Sequence, residues 1–259
     1  MGPTRNPLVP TFDAAMANVT VKEGQVAVLP CEIKFLGTHS VSWADKGNTV
    51  LTLEDRRIID DDRMSVERPS TKAWNLHIRE VTHQDEGLYS CMVNTSPVKI
   101  KQVTLKVKVP AKILNVSTES ATVREGATVT LQCHTSGIPE PTVDWRRLTA
   151  SEEKGEEIQS EFCPGTTTVG RESDVLIIHN ISRECGDIYE CVANNYIDAP
   201  VSRLIPVRVQ FPPEVEMPTK RLGQDIGKET ILECKITANP QVRGIWTKNG
   251  KEIKNLVWS

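Results

Sequence analysis

Seven cysteines are the residues of this chain best suited to chemistry, and the chemistry their spacing suits is oxidative pairing. Cys31, Cys133 and Cys234 each stand twelve positions before a tryptophan (Trp43, Trp145 and Trp246), and the spacing recurs at intervals of roughly 100 residues. Cys91 and Cys191 each close a Tyr-x-Cys, with Tyr89 and Tyr189. Regularly placed cysteines point to an oxidising compartment, where disulfides persist. Catalysis finds little to stand on. His39, His77, His83, His134 and His179 are scattered over turns and strands, without Gly-x-Ser-x-Gly, His-Glu-x-x-His or a phosphate-cradling glycine loop. Cys133-His134 suggests a metal ligand pair only in isolation: Cys133 is needed for a core disulfide, alternation turns His134 to the opposite face, and no second spaced pair remains. No enzyme activity, metal or cofactor is expected.

Two cysteines facing each other between sheets, an aromatic slab beside the bridge and a tyrosine hydroxyl at a corner are what a two-sheet β-sandwich needs. The repeat therefore predicts an all-β chain of tandem immunoglobulin domains. Residues 1–17 read as a flexible, proline-bearing leader, 18–110 as a variable-like or I-type first domain, 111–210 as an I-type second domain and 211–259 as an incomplete third. Val19-Thr-Val-Lys-Glu-Gly24 before Cys31 returns as Thr122-Val-Arg-Glu-Gly126 before Cys133, and period-2 alternation over short segments separated by polar turns supports strands throughout. Val50 to Ile59 supplies extra apolar chain for additional edge strands in the first domain. Val109-Pro-Ala-Lys-Ile113 and Val209-Gln-Phe-Pro-Pro213 join the domains without a Gly/Ser spacer, which predicts a semi-rigid rod.

The net charge of −3, with acids and bases interleaved, gives no case for nucleic acid or an acidic membrane surface. No run of ~18 apolar residues is present, and the first residues lack the apolar core of a signal peptide. The expectation is an interior piece of a secreted or surface-anchored, extracellular protein, in which Cys234 is free or pairs outside this sequence. Asn18, Asn94, Asn115 and Asn180 each begin an Asn-x-Ser/Thr glycosylation triplet, with Pro97 closely following the one at Asn94.

Arg63 and Asp85 lie 28 and 6 residues before Cys91, the places of a salt bridge that closes the bottom of many such sandwiches. The same places before Cys191 hold Cys163 and Cys185. The core pairs are then Cys31–Cys91 and Cys133–Cys191, with an extra disulfide, Cys163–Cys185, in place of the ion pair. The alternative, Cys185–Cys191, would leave the core bridge unmade.

Arg63-Met-Ser-Val66, Ala73-Trp-Asn-Leu-His-Ile-Arg79, Asp85-Glu-Gly-Leu-Tyr-Ser-Cys-Met-Val-Asn-Thr95 and Pro200-Val-Ser-Arg203 through Val209-Gln-Phe-Pro-Pro213 resemble the neuronal adhesion group of lachesin, the Dpr-interacting proteins and the vertebrate IgLON proteins. The resemblance covers residues 18–255. It implies three immunoglobulin domains, attachment to a membrane through an anchor not seen in this sequence, and association with an immunoglobulin-superfamily cell-surface protein, itself or a family member.

Strand parity locates a candidate face. With Trp43, Leu51, Leu53, Tyr89 and Cys91 pointing inward, Ser40, Ser42, Ala44, Asn48, Val50, Thr52, Ser90, Met92 and Asn94 point outward on one sheet of the first domain. This set is small, uncharged and partly apolar, which suits a flat surface meeting another sheet; an ordinary uncharged sheet face is the plainer alternative. The resemblance implies docking through this face in antiparallel pairs of sheets. Val50 falls at the family's apolar edge-strand contact, and Met92 and Asn94 at contacts of the cysteine-bearing strand. A glycan on Asn94 would stand in that contact, and a β-bulge between Val50 and Leu53 would swap the faces there. The function expected is cell-surface adhesion or recognition; the rivals are an ectodomain that captures a secreted ligand and a structural tandem-domain spacer.

Overall fold

The computed structural model describes residues 9–150, 157–170 and 173–253. The first residues of the expected leader (1–8) and the last of the expected third domain (254–259) lie outside them. Two compact units form: one holds residues up to Lys112 with 135–141 and 194–201, the other holds 113–134, 142–193 and the residues from Ser202 onward.

The first unit contains β1 (Thr11–Phe12), β2 (Met16–Lys22), β3 (Ala27–Leu29), β4 (Ile33–Lys34), β5 (Val41–Ala44), β6 (Val50–Leu53), β7 (Arg56–Arg57), β8 (Met64–Glu67), β9 (Asn75–Ile78), β10 (Gly87–Val93) and β11 (Lys99–Ile113). Strands β3, β9 and β8 form one sheet, and β11, β10, β5, β6 and β7 lie side by side in the other, with β2 parallel to β11. Leu29, Trp43, Leu76, Ile78 and Leu105 fill the space between them, each worth ~1.5–3 kcal/mol when fully buried. Through this core runs the Cys31–Cys91 disulfide. The Trp43 indole donates to the Trp74 carbonyl at 2.8 Å, and the Tyr89 hydroxyl donates to the Asp85 carbonyl at 2.8 Å. Gly24, in the turn after β2, has φ +81°, the left-handed region that favours glycine; Gly126 repeats the value in the second unit.

The flexible leader expected up to residue 17 is corrected from Thr11 onward. Strand β1 pairs with β4, β2 already begins at Met16, and Asp13 holds Lys101 at 2.7 Å. Lys101 stands opposite Cys91 on the inner side of the sheet and is buried. A charge in that place needs a partner, because its desolvation is otherwise uncompensated. Burial pushes the Asp13 carboxyl up, but the Lys101 bond and backbone donors bring it below its ordinary value.

At the bottom of the sandwich Arg63 grips Asp85 through both Nη1 and Nη2, at 2.7 and 2.9 Å, and Asp61 flanks it at 2.8 Å. Burial raises the Asp85 carboxyl, yet Arg63 and the Thr82 backbone and hydroxyl donors lower it further, so the net shift is downward; Asp61 shifts down mainly through its Arg63 bond. Carboxylates depressed in the folded state bind fewer protons than in the unfolded chain. Their contribution is therefore present above the ordinary carboxylate range near pH 4 and is lost as the pH falls below it. Arg63→Met is expected to cost ~2 kcal/mol at pH 6 and to lose much less further stability than the parent between pH 6 and 3. Urea unfolding followed by tryptophan fluorescence at both pH values measures this, and equal acid losses in the two proteins would contradict it.

The second unit continues with β12 (Ala121–Arg124) and β13 (Val129–Gln132), while β14 (Thr135–Ile138) joins β11 in the first; then follow β15 (Thr142–Ala150), β16 (Glu157–Ser160), β17 (Thr166–Val169), β18 (Val175–Ile178), β19 (Ile188–Asn194) and β20 (Val201–Glu216). Sheets β13-β18-β17 and β12-β20-β19-β15-β16 enclose Leu131, Trp145, Leu176 and Ile178. Cys133–Cys191 bridges the core, and Cys163 is joined to Cys185, whose carbonyl accepts the Tyr189 hydroxyl at 3.2 Å. Beside this disulfide an ion pair joins Arg147 to Asp187. Farther along, β21 (Lys235–Asn239) pairs with β20, and β22 (Thr247–Lys248) with β23 (Lys251–Glu252). Cys234 has a free thiol.

Candidate recognition face

The outward side of the first unit's larger sheet is built by cross-strand registers. Leu53 lies opposite Ser42, Ser42 opposite Met92, and Met92 opposite Ile100. The next row runs Val50, Ala44, Ser90, Gln102 and Met16, from β6 across to the edge strand β2. Strand spacing puts these ends ~19 Å apart, with ~7 Å between rows. None of the nine residues ionises; beyond Leu53 the first row ends at the exposed Arg56 of the edge strand β7. Leu53 is 50 % exposed, and Val50, Ile100 and Met16 are exposed as well, while Ser42, Ser90 and Met92 are half-buried.

Two residues expected on this face are not available to a partner. The ladder between β5 and β6 slips at Trp43/Ala44, so Thr52 pairs with Trp43, Val50 pairs with Ala44, and Leu51 is the extra residue of a β-bulge. Leu51 and Thr52 consequently both turn inward. Thr52 is 0 % exposed, and its hydroxyl has no hydrogen-bond partner among the described residues. Leu53, expected in the core, comes out in its place. Ala44 keeps its place in the outward row but is 1 % exposed, its small side chain flanked by Ser90 and Val50. Asn48 is exposed, yet it sits in the β5–β6 turn with φ +62° rather than on the sheet; Asn tolerates this left-handed conformation. The turn is held by Asp45 Oδ1, which accepts from the Gly47 and Thr49 N–H groups at 2.8 Å each.

Four face residues escaped the sequence reading. Leu51-Thr-Leu53 alternates as a regular strand would, which hides the bulge. Lys106 and Lys108 make β11 look solvated along its whole outward side, although Ile100 and Gln102 precede them. Met16 lay in the stretch read as leader.

Above the first row lies a polar rim. Ser40 N–H donates to Asn94 Oδ1 at 2.8 Å, and Ser40 Oγ to Glu54 Oε1 at 3.0 Å. Below the second, Leu88, Thr104 and Asn18 form a third row. All four glycosylation asparagines are exposed: Asn18 and Asn94 on this side of the sheet, Asn115 after β11 and Asn180 after β18. No three His, Cys, Asp or Glu side chains gather as metal ligands among the described residues, and no helix there is long and apolar enough to cross a membrane.

Residues 10–109 match the immunoglobulin I-set domain and residues 110–195 an immunoglobulin domain model. The chain is 32 % identical to limbic system-associated membrane protein of Gallus gallus over 253 residues, which cover 94 % of this chain and 70 % of that one. Lachesin of Drosophila melanogaster is 31 % identical over 237 residues, 90 % of this chain and 63 % of its own. Among solved structures, the complex of Dpr2 Ig1-Ig2 with DIP-Theta Ig1-Ig3 contains a similar chain. Its TM-score is 0.67 at 32 % identity, covering 95 % of this chain and 82 % of that chain.

Proposed function

Because this chain belongs to the immunoglobulin superfamily, in the neuronal adhesion group of limbic system-associated membrane protein and lachesin, we propose that it is a cell-surface recognition protein that docks another immunoglobulin domain through the outward side of β6, β5, β10, β11 and β2. It works by binding rather than by catalysis. One observation carries the placement of the face: nine adjacent residues on five strands form two rows without a charge, and four of them are exposed apolar side chains. Interface cores are depleted of charge in this way, with polar residues at the rim, and here Asn94, Ser40 and Glu54 supply that rim. The solved complex of Dpr2 with DIP-Theta, two immunoglobulin-domain proteins joined, supports a partner of the same kind. Contacts between single domains can be weak and still hold two surfaces together, because linked copies raise the effective concentration. Residues from 211 onward are read as the beginning of a third domain. The test is capture of the chain from solution by immobilised ectodomains of lachesin, limbic system-associated membrane protein and the chain itself. Saturable binding to at least one is expected, and none to any would contradict the proposal.

A further inference from the structure

We propose that N-glycosylation of Asn94 switches the recognition face off: chains carrying this sugar are excluded from docking, and chains lacking it dock. The inference rests on the docking role proposed above and adds its regulation. Asn94 leaves the end of β10 two residues beyond Met92 and on the same outward side, ~7 Å from the row of Leu53, Ser42, Met92 and Ile100. Its backbone and side chain are both tied to the neighbouring strand: Asn94 N–H donates to Ser40 O at 3.3 Å, and Ser40 N–H donates to Asn94 Oδ1 at 2.8 Å. The carboxamide is thus fixed at the edge of the apolar row rather than free to swing away.

Glycan transfer is compatible with this geometry. An Nδ2–H bond of Asn94 is replaced by an Nδ2–C1 glycosidic bond, the C1–O bond of a lipid-linked oligosaccharyl diphosphate breaks, and the lipid diphosphate leaves with the proton. Oδ1 remains a carbonyl oxygen and keeps its bond to Ser40, so the fold is undisturbed. The bulky, hydrated sugar then stands where an apposed sheet must come to cover Leu53 and Met92. Pro97, directly after the Asn94-Thr95-Ser96 triplet, restricts the backbone that the transferase must engage, so both forms coexist. The other sites act differently. Asn18 lies on the edge strand opposite Thr104, two residues from Met16, where a sugar crowds the β2 end of the second row and stands across the sheet from Leu53; Asn115 and Asn180 lie off this sheet.

The experiment uses the chain secreted from animal cells with Asn18→Gln, Asn115→Gln and Asn180→Gln, so that Asn94 alone accepts sugar. Lectin chromatography separates the two forms, glycopeptide mass spectrometry assigns them, and binding to the immobilised ectodomains named above is measured. The sugar-free form is expected to bind at least 100-fold more tightly than the glycosylated form, and Ser96→Ala, which keeps Asn94 and its bond to Ser40, to behave as sugar-free throughout. Equal binding by the two forms, with Leu53→Asp abolishing both, overturns the switch and leaves docking intact. Equal binding that Leu53→Asp does not touch, or no binding by either form, overturns the docking role itself. Absence of sugar at Asn94 in every fraction also overturns the switch.

Discussion

Leu53→Asp is expected to weaken association about 30-fold or more while leaving the melting temperature nearly unchanged. In the free chain Leu53 is 50 % exposed, so a carboxylate there keeps its water, and a surface substitution of this kind costs within about 0.5 kcal/mol. In the proposed complex an apposed sheet would cover the same carboxylate, whose cross-strand neighbour on β7 is the exposed Arg56. Burying an unpaired charge costs ~3–5 kcal/mol, an exposed pair with Arg56 offsets at most about 1 kcal/mol of that, and each 1.4 kcal/mol is about tenfold in affinity. Met92→Asp, at a half-buried position between Ser42 and Ile100 with no cation in register, is expected to weaken association at least as much and to lower the melting temperature as well. Thr52→Asp is the informative contrast. A straight β6 would put Thr52 on the face and Leu53 in the core, so Thr52→Asp would block binding and Leu53→Asp would unfold the domain. The bulge at Leu51 reverses both outcomes, because Thr52 is buried opposite Trp43. Surface binding combined with thermal melting of the three variants reads the difference, and a well-folded Thr52→Asp protein that fails to bind would contradict the bulged register.

The second large effect falls on stability. Replacing Cys163 and Cys185 together by alanine opens a cross-link with a sequence separation of 22, for which loop-closure entropy gives about 3 kcal/mol. For a domain of this size that corresponds to a fall in melting temperature of roughly 10–20 °C. The first unit closes the equivalent place with Arg63 and Asp85, and the Arg63→Met loss of ~2 kcal/mol is expected to be smaller. The reason is that the disulfide restricts the unfolded chain whereas the ion pair only contributes contacts in the folded one. Arg147 and Asp187 form an ion pair beside the disulfide that does not depend on a bond to either cysteine, so the second unit is expected to stay folded at room temperature. Melting followed by tryptophan fluorescence checks this; a shift below about 2 °C would mean that the bridge adds nothing.

The sandwich was legible in the sequence because its constraints sit at fixed places along the chain. A disulfide across two sheets needs Cys31 and Cys91 in facing strands, Trp43 must lie beside it, and the hydroxyl of Tyr89 must reach the corner carbonyl. Each demand leaves a residue type at a set spacing. Gly24 and Gly126 mark the same left-handed turn twice. The face was legible only in part. Val50, Ser42, Ser90 and Met92 follow from parity, but parity has no means of counting the extra residue at Leu51, and so it placed Thr52 outside and Leu53 inside. Lys101 was hidden for another reason. A lysine at an inward position is tolerated only with a carboxylate close by, and that carboxylate, Asp13, is 88 positions away in sequence. The pairing that turns Thr11 to Ala17 from leader into ordered chain depends on this distant partner and on β4, neither of which leaves a local pattern.

The face is tested most directly by sedimentation equilibrium of the chain over a range of concentrations, alone and mixed with the ectodomain that captures it, for the parent and for Leu53→Asp. The parent is expected to form a complex whose mass rises with concentration to that of a pair, while Leu53→Asp remains at the mass of the free chains throughout. A Leu53→Asp protein that assembles as the parent does would show that the outward side of β6, β5, β10, β11 and β2 is not the docking surface.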